Sequence, residues 1–177
     1  VAKLSDGNGW VRDTAQRLLA EKNDPAATAL LKTAAVDAGR PAVARLHALW
    51  ALEGNGTLDR ATVVRALDDA DARVSAAAIR VAEKFLAAPG GDAELAGRIV
   101  GLKRPEPEVR LQLALTLGEL RTPAGDRALA ALVVAAGRQA YVADAAVSWL
   151  AGRELEFVET LAADPAAAEN GADAGRF

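Results

Sequence analysis

The chain has 177 residues, a formal net charge of −3, one histidine and no cysteine. This length suits one domain or one short repeat array, and the acidic balance gives no overall field that would recruit nucleic acid or an anionic membrane. The absence of cysteine excludes thiolate metal sites, disulfides and cysteine nucleophiles, and a composition that is 51% hydrophobic but only 4% aromatic predicts an all-α protein.

The N-terminal residues carry no targeting feature. The segment VAKLSDGNGW at 1–10 has no basic stretch followed by an apolar core, so it is not typical of a signal peptide. No stretch of the chain reaches the roughly 20 consecutive apolar residues of a membrane-spanning helix, and we predict no membrane insertion. Because the chain does not begin with methionine, we expect it to be a piece of a longer polypeptide, with any targeting signal outside it.

Five similar segments follow one another along the chain. They are WVRDTAQRLLA (10–20), VARLHALWALE (43–53), RVSAAAIRVAE (73–83), EVRLQLALTLG (108–118) and YVADAAVSWLA (141–151). We align them on one reference position, which holds Arg12, Arg45, Ser75, Arg110 and Ala143. The successive separations of 33, 30, 35 and 33 residues are typical of helical repeat proteins.

Apolar residues recur at fixed distances from the reference position. Position −1 holds Val11, Ala44, Val74, Val109 and Val142; position +3 holds Ala15, Ala48, Ala78, Leu113 and Ala146; position +7 holds Leu19, Leu52, Ala82, Leu117 and Leu150. Spacings of three and four residues mark one face of a helix. Each segment is therefore predicted to be an amphipathic first helix that turns these residues to the core.

A second helix is predicted after each first helix. Its apolar residues are Ala27, Leu30, Leu31 and Ala34; Val63, Val64 and Leu67; Leu95, Ile99 and Leu102; Leu129, Leu132, Val133 and Ala136; and Leu155, Val158 and Ala162. Turn-forming residues separate the helices at NDP (23–25), EGNG (53–56), APGGD (88–92) and RTPAGD (121–126). Asn8, Asp71 and, less favourably, Glu106 precede first helices as N-cap residues.

These patterns predict an all-α fold, an α-α superhelix or α-solenoid of about five helical hairpins within residues 1–163. The repeat intervals lie near 4–36, 40–69, 71–102, 106–137 and 139–163. A two-helix unit of this size does not bury its apolar face alone, so neighbouring hairpins are expected to stack on one another. Residues 164–177 are interpreted as the start of a truncated further unit or as a frayed tail.

The recurring pattern (D/N)xxVRxxAxxxL resembles HEAT repeats, particularly the short HEAT-like repeats of phycobilin lyases. Four segments, NGWVRDTAQRLLAEKND (8–24), ARLHALWALEGNGTLD (44–59), ARVSAAAIRVAEKF (72–85) and VRLQLALTLGEL (109–120), are more specifically similar, in this order, to one group of proteins. This group is the HEAT segment of planctomycete-type haem-binding proteins, often named membrane-bound dehydrogenases. The likeness covers residues 4–163.

In that family the solenoid lies between a sugar-dehydrogenase-like β-propeller and a c-type cytochrome domain. The resemblance therefore implies an extracytoplasmic redox protein, periplasmic or secreted, as the parent of this chain. The chain itself has no propeller repeats and, without cysteine, no CxxCH haem attachment site. We therefore expect no cofactor, no metal and no catalytic residue here, and we predict that the chain is not an enzyme.

The predicted partner-binding surface combines tryptophan and arginine, which are enriched at interaction hot spots. It comprises Trp10, Arg12, Arg45, His47, Trp50, Arg110 and Gln112. For the three arginines the alternative is an ion pair with an acid in an adjacent turn, such as Asp6, Asp13 or Asp71. His47 is interpreted as a packing or hydrogen-bonding residue because zinc sites need three or four protein ligands. Trp149 is predicted to fill core between repeats.

Three functions follow from this sequence. The first is a non-catalytic scaffold or protein-interaction solenoid that packs against neighbouring domains of its parent or binds a protein partner. The second is a nucleic-acid-binding module of the HEAT-like DNA-glycosylase kind; it is not expected, because lysine is scarce and the second-helix regions carry Asp59, Asp68, Asp69, Asp92, Glu94 and Glu156. The third is a tetrapyrrole lyase or chaperone, by analogy with the bilin lyases; no residue cluster specifically supports it.

Overall fold

The computed structural model describes residues 1–87 and 91–164, and the regular secondary structure of these two stretches is helical. The all-α prediction is thereby confirmed. A short 3₁₀ helix at Ala2–Ser5 precedes ten α-helices in this described part: α1 (Gly9–Lys22), α2 (Pro25–Ala35), α3 (Ala42–Gly54), α4 (Arg60–Leu67), α5 (Ala72–Leu86), α6 (Ala93–Val100), α7 (Pro107–Leu120), α8 (Pro123–Ala136), α9 (Val142–Val147) and α10 (Glu154–Ala162).

The chain divides into two compact units. We call Val1–Phe85 the N-terminal unit and Leu86–Phe177 the C-terminal unit; the division falls at the end of α5. Each predicted repeat interval contains two helices, from α1 and α2 in the first to α9 and α10 in the fifth. The interpretation of 164–177 as a further unit or a frayed tail lies outside the described residues, apart from Asp164.

The predicted turn NDP joins α1 to α2, and each of its three residues contributes differently to the turn. Asn23 adopts the left-handed conformation (φ 44°, ψ 46°), which asparagine tolerates better than most residues. The Asp24 carboxylate caps α2 by accepting the N–H of Ala26 at 2.9 Å, and Pro25 occupies the first helical position, where no N–H is needed. Residues 121–123 repeat this arrangement between α7 and α8, with φ 47° at the first residue.

The length of the side chain decides whether a predicted N-cap residue caps its first helix. The side chains of Asn8 and Asp71 each accept the backbone N–H two residues further on, at 3.0 Å, as predicted. Glu106 forms no side-chain cap bond on α7, and its carboxylate pairs with Arg104 instead. A short side chain is needed to reach the free N–H groups of the first turn, and glutamate is too long for this geometry.

The predicted core face of the first helices is confirmed in four of the five repeats. The residues at −1, +3 and +7 are buried in or beside α3, α5, α7 and α9, and they include Val74, Val109 and Val142. In the fifth repeat the predicted helix over 141–151 was too long, because α9 ends at Val147 and Leu150 is buried beyond its end. The corresponding residues of α1 are only half-buried. Helix α1 packs against α3 and the short 3₁₀ helix, whereas α3 is covered by α1, α2 and the 3₁₀ helix together.

The second helices bury only part of their predicted stripes. Leu31, Ala34, Val63, Leu67, Leu95, Ile99, Leu129 and Ala136 are buried. The prediction was wrong for Leu30, Leu155, Val158 and Ala162, which are exposed. In α10 the buried residue is Phe157, because apolar residues lie on more than one face of this helix and its packing against α8 covers the face that carries the phenylalanine.

Each unit is held together by contacts between a helix and the next helix, or the next but one. In the N-terminal unit α3 packs against α1 and α2, and α2 packs against α4. The buried Ser75 hydroxyl of α5 donates to the Leu67 carbonyl at the end of α4, at 2.9 Å. In the C-terminal unit α7 packs against α8 and α9, α8 packs against α9 and α10, and α6 packs against both α7 and α8.

Candidate partner-binding surface

The seven residues of the predicted partner-binding surface lie in different compact units. Five are on α1 and α3 of the N-terminal unit, namely Trp10, Arg12, Arg45, His47 and Trp50. The other two, Arg110 and Gln112, are on α7 of the C-terminal unit. The surface is therefore described as two groups, one in each unit.

Arg12 and His47 are brought together where α1 packs against α3. Arg12 Nε donates to His47 Nε2 at 3.3 Å, and Arg12 Nη1 donates to the carbonyls of Asp6 and Gly7 at 2.8 and 3.2 Å. The second ring nitrogen, His47 Nδ1, lies 2.6 Å from Gln16 Oε1. The guanidinium thus joins the loop before α1 to a side chain of α3. We call Arg12, Gln16 and His47 the polar network.

The geometry of the polar network requires a neutral imidazole. Because His47 Nε2 accepts the hydrogen bond from Arg12, the ring proton is on Nδ1 and is donated to Gln16. Burial lowers the pKa of His47 below 6.5; the Asp13 carboxylate, 4.0 Å from Nε2, raises this pKa, and the Arg12 guanidinium lowers it further. The lowered pKa keeps the ring neutral near pH 7, and both ring nitrogens are bonded within the protein.

One face of α1 beside this network remains in solvent. Trp10, Asp13 and Arg17 are spaced at i, i+3 and i+7, so they share one side of the helix, and all three are exposed. We call these three residues the α1 face. The Trp10 side chain is 73% exposed, although its backbone N–H is fixed by the Asn8 cap. Arg12 lies off this face because residues two apart on a helix point in different directions.

Trp50 lies in a separate cleft of the N-terminal unit. The cleft has a volume of about 270 Å³, and Trp50 is half-buried in it. The other lining residues come from α3 and α5: Glu53, Arg80, Val81 and Lys84. The indole is therefore flanked by charged side chains and is less accessible than that of Trp10.

Arg45 belongs to the interior of the N-terminal unit. It is 7% exposed, and its Nε and Nη2 each donate to a carboxylate oxygen of Asp69 at 2.7 Å, while Nη1 donates to the Arg40 carbonyl. The hydrogen bonds to Asp69 raise the pKa of Arg45. The alternative of an ion pair with an acid in an adjacent turn describes this residue, although the acid is Asp69 and not Asp71. We therefore leave Arg45 out of the candidate surface.

The two residues in the C-terminal unit have different environments. Gln112 is half-buried, and its Nε2 donates to Thr116 Oγ1 one turn further along α7, at 3.1 Å. Arg110 lines an open cleft of about 500 Å³ beside α7 and α8. Trp149, predicted to fill core, is half-buried, and its side chain lies directly over Gly118 of α7.

Sequence reasoning missed Gln16, Asp69 and the cleft beside Arg110. Gln16 lies four residues after Arg12 on α1, so helical spacing alone would have placed the two side chains together. Asp69 lies in the acidic run LDDADAR at 67–73, and spacing does not determine which of its carboxylates reaches Arg45. The cleft depends on how helices pack, and no local pattern reports it.

Within residues 1–87 and 91–164, no group of three or more His, Asp or Glu side chains is arranged to hold a metal ion. None of the helices in this described part combines the length and the apolar character needed to cross a membrane. Comparison of the chain with known protein families, with curated proteins and with solved structures finds no match.

Proposed function

We propose that this chain is a non-catalytic scaffold that presents the α1 face to a protein partner or to a neighbouring domain of its parent polypeptide. The observation that carries the proposal is the exposure of Trp10 on the same side of α1 as two charged residues, Asp13 and Arg17. Tryptophan is the residue most typical of binding hot spots, and charged groups around such an anchor suit the polar rim of an interface.

The helix that carries the α1 face is held in place by hydrogen bonds to its neighbours. The polar network ties α1 both to the preceding loop and to α3, through four hydrogen bonds of Arg12 and His47. A surface that is already ordered loses less conformational entropy when a partner binds. The network therefore favours a docking role for the helix that carries Trp10.

The engagement of the polar side chains supports a non-catalytic role. A general base must have a nitrogen or oxygen within hydrogen-bond reach of a substrate proton. Both ring nitrogens of His47 are bonded to Arg12 and Gln16, and the Arg45 guanidinium is bonded to Asp69 and to a backbone carbonyl. These groups hold helices together.

We further propose a HEAT-like α-α superhelix as the architecture of this scaffold, and an extracytoplasmic redox protein as its parent. Packing within each unit supports the first point, because first helices pack on first helices (α1 on α3, α7 on α9) and second on second (α2 on α4, α8 on α10). The second rests on the family resemblance of residues 4–163. The surrounding open reading frame tests it directly, since propeller repeats and a CxxCH motif are expected there.

Site-specific photo-crosslinking tests the docking role of the α1 face. A benzophenone amino acid is placed at position 10 of the full-length polypeptide in its source cells, and at position 30 as a control, because Leu30 is also exposed in the same unit. We expect one discrete crosslinked product from position 10 only, lost when Asp13→Lys and Arg17→Glu reverse the neighbouring charges. Equal, diffuse labelling from both positions would contradict the proposal.

A further inference from the structure

The C-terminal unit contains an open cleft with an apolar floor and one charged end. Its volume of about 500 Å³ lies within the range of ligand pockets, roughly 300–1,000 Å³. Helix α7 lines it with Arg110, Leu113 and Leu117, and α8 lines it with one leucine and three alanines. Residues 100–105 complete the lining with three apolar side chains and with Lys103 and Arg104, the two cations that precede α7 in the chain.

The cleft exists because α8 presents short side chains to it. The three alanines, among them Ala131, are spaced at i, i+3 and i+7 and so form one strip along the helix. The facing residues of α7 span seven positions from Arg110 to Leu117, which at the rise of an α-helix is about 10 Å. This length of two turns, with cations at one end only, suits a single short apolar chain that carries an anionic head.

The charge of the lining is one-sided. The residues that line the cleft, all within the described part of the chain, include three cations and no carboxylate. The Arg104 guanidinium is paired with Glu106 at 2.9 and 3.1 Å, so that its charge is compensated. The Arg110 side chain makes no hydrogen bond or salt bridge with the residues of 1–87 or 91–164, although the Glu106 carboxylate is near enough to interact with its charge. Its guanidinium is therefore available to an anion from solution.

We propose that this cleft binds a medium-chain monocarboxylate, whose apolar chain lies against Leu113, Leu117 and the α8 alanines while its carboxylate accepts hydrogen bonds from Arg110. The planar guanidinium fork matches the two oxygens of a carboxylate, and Lys103 adds a second positive charge at the same end. This binding activity goes beyond the scaffold role and does not depend on the α1 face, which lies in the other compact unit.

Calorimetric titration with octanoate and with octanol tests the proposal, because the two probes share the apolar chain and differ in the head group. We expect saturable one-site binding of octanoate and at least tenfold weaker binding of octanol. Arg110→Gln is expected to weaken octanoate binding about tenfold and to leave octanol binding unchanged, because only the charged head contacts the guanidinium. Ala131→Phe should abolish binding of both probes by filling the cleft.

The matched control is Arg127→Gln, which removes one positive charge from an exposed position of α8 that does not line the cleft. Octanoate affinity is expected to stay unchanged in this variant. Amide NMR spectra recorded before titration establish that each variant is folded, and octanoate should shift resonances of α7, α8 and residues 100–105, which line the cleft. Equal affinity for the two probes, equal losses in the Arg110 and Arg127 variants, or no saturable octanoate binding would each overturn the proposal.

Discussion

The reference position of the repeat holds arginine in both compact units, and the two units use this residue differently. In the N-terminal unit Arg12 and Arg45 each bond to the loop before their own helix and to a side chain of a later element. In the C-terminal unit Arg110 lines an open cleft and makes no such bond within the described residues. There the loop before α9 reaches α7 through Gln139, whose Nε2 donates to the Pro107 carbonyl at 2.9 Å.

The difference shows that the neighbouring element decides what an arginine of the repeat does. Arg45 meets a carboxylate because the segment before α5, DDAD at 68–71, is acidic. The segment before α9, GRQA at 137–140, has no carboxylate, so Arg110 has no equivalent acceptor there. The arginine at this repeat position therefore joins elements by hydrogen bonds in the N-terminal unit, whereas in the C-terminal unit it is a cation beside a cleft.

The largest expected effect comes from the same substitution made at both arginines. Arg45→Ala should destabilise the chain by about 3 kcal/mol, because it removes both guanidinium hydrogen bonds and the compensating charge from the largely buried Asp69 carboxylate. Arg110→Ala removes no internal hydrogen bond and should cost under about 1 kcal/mol, through lost packing of its stem. Urea unfolding followed by circular dichroism measures both values. Equal losses of unfolding free energy in the two variants would contradict the different structural roles of Arg45 and Arg110.

A smaller effect is expected where the C-terminal unit relies on close packing. A methyl group on Gly118 of α7 would lie 2.7 to 2.9 Å from the Cβ, Cγ and Cδ1 atoms of Trp149. Gly118→Ala should therefore destabilise by about 2 kcal/mol, despite the better helix propensity of alanine. Gly97→Ala on α6 is the control; it meets no atom within 4 Å and should stabilise by up to about 1 kcal/mol in thermal unfolding.

Asp59 provides a third comparison, because it is both a cap and an ion-pair partner in the N-terminal unit. Its Oδ1 accepts the Thr62 N–H at 2.8 Å at the start of α4, and its Oδ2 lies 2.7 Å from Lys32 Nζ of α2. Asp59→Ala should cost about 1 kcal/mol through loss of the cap. Asp59→Asn keeps the cap and should cost less than about 0.5 kcal/mol, because the ion pair is partly exposed.

The acid dependence of stability distinguishes the capping role of Asp59 from its ion pair with Lys32. Burial raises the pKa of Asp59, but the hydrogen bonds from Lys32 and Thr62 outweigh it and lower this pKa from 3.8 to about 2. The stabilisation is complete above pH 3.8 and is lost as the pH falls from there through about 2. Melting temperatures of the wild type should show this loss between pH 4 and pH 2, and the Asn variant should show less of it.

The smallest expected effect is the titration of the polar network. Because burial lowers the pKa of His47, protonation is less favourable in the folded chain than in the unfolded chain. The stabilisation is complete above pH 6.5 and is lost as the pH falls through the lower folded value. The melting temperature should drop slightly from pH 7.5 to pH 5. His47→Gln should remove the drop, and an identical drop in this variant would assign it to other groups.

The sequence was sufficient where the determining residues lie within a few positions of one another. The caps at Asn8 and Asp71 follow from short polar side chains placed before a helix, and the buried face of α7 follows from the spacing of Val109, Leu113 and Leu117. In the candidate site, sequence reasoning selected Arg12 and His47, and the structure brings these two together. Such features depend on the fixed geometry of a single helix.

Prediction failed where the answer depends on which element packs alongside. In α10 the apolar residues allow more than one inward face, and packing against α8 buries Phe157 and leaves Leu155 and Val158 in solvent. The hot-spot pattern predicts Arg45 at the surface, but the structure pairs it with Asp69, which lies 24 residues away in sequence. No spacing rule within a helix links residues so far apart.

By itself, the sequence determined that this chain is helical, which short polar residues cap two of its first helices, and which side of most first helices turns inward, because these properties arise from backbone hydrogen bonding and from a 3.6-residue period. Tertiary structure alone decided which polar groups pair between elements that are distant in sequence. The Asp69 carboxylate pairs with Arg45, whereas no carboxylate of the described residues forms a salt bridge with the Arg110 guanidinium. The physical reason is that hydrogen bonds act over about 3 Å, so their partners are fixed only when the helices have packed.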